Sequence, residues 1–210
     1  MIVSSTGSDF KPIDAGTYVA ICSRIIDQGT QESTFNGEKK LKRKVLIGWE
    51  VPEVEIEDAH GDKRPALVMS SYTASLHEKA ALRKDLESWR GRKFTAEELT
   101  GFDLRNILGQ PCMINVVHSE DGQYANVQAV MALPKGMPKP GKPSDPIHFD
   151  LDEFDDAVFD KLSDKLRDKI KGSPEYKALN GGYTEAPAGH ERESFPDDLD
   201  DDLEGDSIPF

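Results

Sequence analysis

Apolar and polar residues alternate with a period of two through the first half of the chain, and with the spacing of a helix in two later stretches. Residues 17–26 read TYVAICSRII, where Val19, Ile21 and Ile25 alternate with Tyr18, Ala20, Cys22 and Arg24, the pattern of a half-buried strand. Residues 29–37 (GTQESTFNG) read as turn and loop, ending in an Asn-Gly pair that favours a tight turn. Residues 39–51 predict a second strand. Its apolar phase is Leu41, Val45, Ile47, Trp49 and Val51, and its opposite phase carries Lys40, Lys42 and Lys44. An acidic loop with Glu53, Glu55, Glu57 and Asp58, broken at Gly61, leads to a third strand over about residues 65–73.

The period then changes. Ser75 and Glu78 have the spacing of a capping box, Leu82, Leu86 and Trp89 form an i, i+4, i+7 stripe, and Gly91 marks the stop. Thr95 and Glu98 repeat the box for a short helical turn ended by Gly101. Residues 111–118 (PCMINVVH) and 123–133 (QYANVQAVMAL) predict two strands joined at Asp121 and Gly122. Three strands, a helix and two strands is the order of a mainly β five-stranded OB-fold barrel with a helix between strands 3 and 4. On this reading the domain spans residues 1–133.

Residues 134–148 begin with PKGMPKPGKPSDP, a semi-rigid basic linker. Residues 149–184 form a helical extension, with an amphipathic helix expected over 152–171 and Phe154, Val158, Leu162, Leu166 and Ile170 on one stripe. That stripe must be buried, and docking on the barrel, weak self-association or a partner would each do so. Residues 185–210 hold ten carboxylates against Arg192 and very few apolar groups, so burial cannot offset ordering entropy and a disordered acidic tail is expected.

Charge is unevenly spread. The chain carries a net −13, yet residues 1–146 hold 19 Lys and Arg against 20 Asp and Glu, so a basic face is compatible with the acidic total. The two cysteines, Cys22 and Cys112, lie in apolar runs and read as buried thiols. Five scattered histidines give no zinc spacing, and no phosphate loop or nucleophile-base pair stands out, so neither an enzyme nor a cofactor is expected. Without an apolar run of about 20 residues or a signal peptide, a soluble protein of the cytoplasm is expected, with no membrane partner.

Single-stranded nucleic acid is held by positive charge along the backbone and by aromatic faces under the bases. The candidates for such contacts are Lys40, Lys42 and Lys44, with Arg24 and Tyr18 read on the same phase of the first strand. Phe35, Tyr72 and Tyr124 are candidate stacking residues, and Arg90, Arg92 and Lys93 form a second basic cluster. Competing readings are a solvated sheet face, edge protection, core packing and helix-end cations.

Two resemblances bear on function. The ending FPDDLDDDLEGDSIPF resembles the C-terminal tip of bacterial single-stranded-DNA-binding proteins, an acidic run closed by Ile-Pro-Phe, here interrupted by Leu203, Glu204, Gly205 and Ser207. It implies recruitment of replication and recombination proteins through Asp200, Asp201, Asp202, Asp206, Ile208, Pro209 and Phe210. The stretch TASLHEKAALRKDLESWRGRKFTAEELTGFDLRNIL resembles a segment of phage-encoded single-stranded-DNA-binding proteins with an OB-fold, a similarity extending over about residues 15–135. Together they imply a sequence-nonspecific, non-enzymatic coat for single-stranded DNA in phage replication, recombination or repair, in the host cytoplasm. A recombination mediator or annealing protein, and less so a metal-dependent nuclease, are the alternatives.

Overall fold

The computed structural model describes residues 12–35, 38–57 and 61–179. It is mainly β, with strands β1 (Gly16–Phe35), β2 (Glu38–Glu57), β3 (Lys63–Thr73), β4 (Pro111–His118), β5 (Ala125–Met131) and β6 (Ile147–Phe149). The first five form an antiparallel sheet in the order β3-β2-β1-β4-β5, and β6 joins β1 in parallel at Arg24 to Ile26. Its two edges, β3 and β5, approach each other, but among the described residues no ladder joins them and the sheet stays open. The short helices are α1 (Ala81–Arg90), α2 (Ala96–Thr100), α3 (Asp156–Phe159), α4 (Asp164–Lys171) and α5 (Pro174–Leu179).

Residues 29–35, expected as a loop, continue β1 instead. Their polar side chains hid the strand, whose backbone groups are satisfied by pairing along β2, from Gly29 with Lys44 to Phe35 with Glu38. The resulting hairpin runs well past the core, with Leu41 70% exposed where its phase suggested burial. The Asn36-Gly37 pair lies outside the described residues.

Both sheet faces are covered. On one, Ala20, Cys22, Ile25, Val45, Ile47, Trp49, Val51, Val68, Tyr72, Ile114 and Val130 meet Leu82, Leu86 and Trp89 of α1. The rings of Trp49 and Trp89 lie 6.3 Å apart. On the other, Ile26 and Leu46 meet Ile147, Phe149, Leu151, Phe159, Leu162, Leu166 and Ile170. The amphipathic stripe therefore docks on the sheet, closed by an aromatic group in which Tyr176 stacks on Phe159 at 5.4 Å. Residues 134–146 hold no strand or helix, yet they are tied down. Buried Glu50 accepts from the amide and hydroxyl of Ser144, both at 2.9 Å, and Arg24 donates to the carbonyl of Asp145.

Helix boundaries follow local capping. Thr95 and Glu98 form the expected box at α2, and Gly91 ends α1 at φ 67°. Ser75 and Glu78 form none: α1 begins after Ala80, and the Ser75 hydroxyl accepts from the amide of His77 at 3.2 Å. The helix expected over 152–171 is two helices. Asp155 caps α3 by accepting from the amides of Ala157 and Val158, and the extended backbone of Ser163 starts α4 afresh. The break lets Leu162 and Leu166 both reach the sheet.

Gly29 is where the hairpin meets this second layer. At φ +67° a Cβ would lie 2.5 Å from both Cβ and Oγ of Ser173, whereas Gly91, also at φ +67°, has nothing within 4 Å. Both alanine variants bear the backbone penalty of a positive φ, roughly 1 kcal/mol or more, and only Gly29→Ala adds a clash. Urea unfolding should therefore show a clearly larger drop in midpoint for Gly29→Ala than for Gly91→Ala. Equal drops would contradict the docking of α5 on β1.

Candidate nucleic-acid interface

The projecting hairpin sets three lysines on one side. Because side chains alternate along β2, Lys40, Lys42 and Lys44 share one side of the ribbon, about 7 Å from one to the next. Directly across on β1 stand Ser33, Gln31 and Gly29, with no carboxylate among them. Lys40 is exposed, and Lys42 and Lys44 are half-buried. The other side of the ribbon carries ion pairs. The Lys39 ammonium sits 2.7 Å from Glu32, and Arg43 binds Asp27 at 2.5 Å and Asp152 at 3.0 Å. These carboxylates, Asp27 first, raise the already high pKa of Arg43. The lysine row continues toward the end of α4, since Gln31 Nε2 donates to the carbonyl of Lys169 at 3.1 Å.

The aromatic and arginine candidates fall elsewhere. Tyr18 packs against the first core and its hydroxyl donates to the carbonyl of Asp14 at 2.7 Å, so it lies on the face opposite the lysines. A register shift between Cys22 and Arg24 moves Arg24 to the lysine face, where it binds Asp145. Tyr72, 6% exposed, is core: its hydroxyl donates to Asp85 Oδ2 at 2.8 Å, which removes it as a stacking surface. Burial raises the pKa of both Tyr72 and Asp85. Tyr124 is half-buried at the turn before β5, and the Phe35 side chain lies outside the described residues, as do Asp200, Asp201, Asp202, Asp206, Ile208, Pro209 and Phe210.

The second basic cluster is built around Glu98. Arg92 gives it two hydrogen bonds, at 2.7 and 2.9 Å, and Arg90 and the Thr95 amide add others. Arg90 also lies over the rings of Phe94 (4.5 Å) and Phe102 (5.0 Å). Lys93 is exposed beside them. These residues border a cleft of about 480 Å³ lined by Trp89, Arg90, Arg92, Phe102, Gln110 and Lys139 among others. Sequence reading missed Phe102, Asn106, Gln110 and Lys139, which come from separate loops with no shared motif; the lysines of the Pro-rich segment were the only local signal.

Among the described residues no group of His, Cys, Asp or Glu is placed to hold a metal ion, and no helix is long and apolar enough to cross a membrane. Compared with protein families, curated proteins and solved structures, the chain gives no match.

Hydrogen bonds from Arg92, then from the Thr95 amide, hold the Glu98 carboxyl down at about 2, against an ordinary 4.5. A depressed folded-state value means that its contribution to stability is complete above the unfolded value near 4.5 and is lost as pH falls through about 2. Carboxyl NMR should place the Glu98 midpoint near 2, with the Arg90 and Arg92 contacts persisting at pH 4. A midpoint near 4.5 would contradict the clamp.

Proposed function

We propose that the chain is a sequence-nonspecific, non-enzymatic single-stranded-DNA-binding protein, and that the Lys40, Lys42 and Lys44 side of the hairpin is a principal contact. The observation that carries this is the alternation along β2, which sets Lys40, Lys42 and Lys44 on one side of a hairpin that projects past the core, in register with Ser33, Gln31 and Gly29 of β1. Such a row follows a phosphate backbone without reading bases. The strand order and the helix between β3 and β4 support an OB-fold as the parent architecture, with β3 and β5 as the seam. The resemblance of the ending to the bacterial tip supports recruitment of replication and recombination proteins through Ile208, Pro209 and Phe210 and the acids before them.

Each lysine that meets a phosphate releases counterions, worth about 0.7 in the slope of log affinity against log salt for a single strand. Fluorescence anisotropy with a labelled oligothymidylate across a salt series should therefore show binding that weakens steeply with salt. Replacing Lys40, Lys42 and Lys44 by alanine should flatten the slope by roughly 2, three times that increment. An unchanged slope in the triple variant would remove the hairpin from the interface. Wild-type protein that ignores single strands at low salt would overturn the function.

A further inference from the structure

The cleft beside α1 and α2 has a mixed polar and apolar lining that nothing in the hairpin reading uses. Its volume, about 480 Å³, lies within the size range of small-ligand sites. Arg90, Arg92 and Lys139 face it against a single carboxylate, Glu98, in a chain whose net charge is −13. Glu98 presents little acceptor capacity to a ligand, because its oxygens already take hydrogen bonds from Arg90, Arg92 and the Thr95 amide. The lining has donors to spare. The side chains of Asn106, Gln110 and Lys139 make no hydrogen bond or ion pair among the described residues. One wall is flat and stiff: Phe102 packs edge-on to Phe94 at 5.1 Å, the Arg90 guanidinium lies over both rings, and Trp89 is pinned by donating to the carbonyl of Pro111 at 2.9 Å.

We infer that this cleft is a second subsite for the same ligand, receiving one nucleotide of a bound single strand, with the phosphate at Arg92 and Lys139 and the base between the Phe102 wall and the amides of Asn106 and Gln110. The inference rests on the reading of the protein as a single-strand binder. A bare anion would need only the cations. The flat wall suits a base stacked on an aromatic or guanidinium plane, and side-chain amides, each with donor and acceptor, suit the edge of a base. The acidic end of a peptide would satisfy the cations but leave the amides and the wall without a matching group. Pro111 of the cleft pairs with Ile21, and Lys44 of the lysine row pairs with Gly29. The two sites are roughly 26 Å apart along β1 at about 3.3 Å per residue, on opposite faces of the sheet, so a strand of several nucleotides that reaches both must pass round the sheet.

Both tryptophans are core residues, but Trp89, 7% exposed, also borders the cleft and Trp49 does not, so a change in intrinsic fluorescence of the intact chain reports occupancy. Titration with 5′-dAMP should quench the emission to saturation. Inorganic phosphate and deoxyadenosine, tested alone, should each bind at least about tenfold more weakly, because each offers half of the contacts. Lys139→Ala and Gln110→Ala, both at exposed positions, should weaken 5′-dAMP by about five- to tenfold and also weaken a 30-mer oligothymidylate. Phosphate as effective as 5′-dAMP, or a synthetic DDLEGDSIPF peptide that quenches when 5′-dAMP does not, would overturn the nucleotide assignment. Normal oligothymidylate binding with no saturable 5′-dAMP signal overturns this inference alone. Absence of oligothymidylate binding in the wild type overturns the reading of function, and this inference with it.

Discussion

The middle of β1 is buried on both faces, and one extra residue at Ser23 shifts its register against β2. Before the shift, Ala20 and Cys22 point into the first core; after it Ile25 takes over that duty and Ile26 turns to the second. A one-residue slip exchanges the faces of everything that follows. The device leaves a buried Ser23 hydroxyl without a hydrogen-bond partner, a loss of about 1–3 kcal/mol. Beyond the bulge Ile25 and Ile26 are buried on opposite faces, worth about 1.5–3 kcal/mol each. With the second face apolar, the chain after residue 147 has a surface to pack on, and the layer it forms grips the hairpin at Gly29 and Thr30. There Glu175 accepts from the Thr30 amide at 2.8 Å and from its hydroxyl at 2.5 Å.

That grip matters for the lysines. A long two-stranded ribbon beyond a core is marginally stable by itself. Here its base is fixed by Glu175 and by Arg43, which joins Asp27 of β1 to Asp152 of the second layer. Across the hairpin the row of Lys40, Lys42 and Lys44 stands in register with Ser33, Gln31 and Gly29. In a chain with a net charge of −13, screening limits the reach of these lysine charges to about 10 Å at ordinary salt.

Much of the sheet was legible in the sequence wherever burial is one-sided. β4 matches its expected span from Pro111 to His118, and β3 departs only at its start, because alternation with a single buried face is a direct record of the fold. Legibility failed where another part of the chain supplied what local pattern lacks. The polar residues of β1 beyond Gln28 are strand because β2 pairs with them, and the two phases of β1 misled because the bulge at Ser23 leaves no mark in residue type. The short β6 is held by a partner far away in sequence. At the site, the lysine row was visible as a period of two. The cleft was not, since Phe102, Asn106, Gln110 and Lys139 converge only through folding. Tyr72 read equally as core or surface until its bond to Asp85 placed it inside.

The central claim, that single-stranded DNA lies along the lysine side of the hairpin, is tested most directly by chemical footprinting. The intact chain would be briefly acetylated with and without saturating oligothymidylate, and each lysine quantified by mass spectrometry. The result expected is strong protection of Lys40, Lys42 and Lys44, with Lys63 on β3 and Lys161 between α3 and α4 modified as in the free protein. Protection spread evenly over all lysines, or confined to positions outside the hairpin, would contradict it.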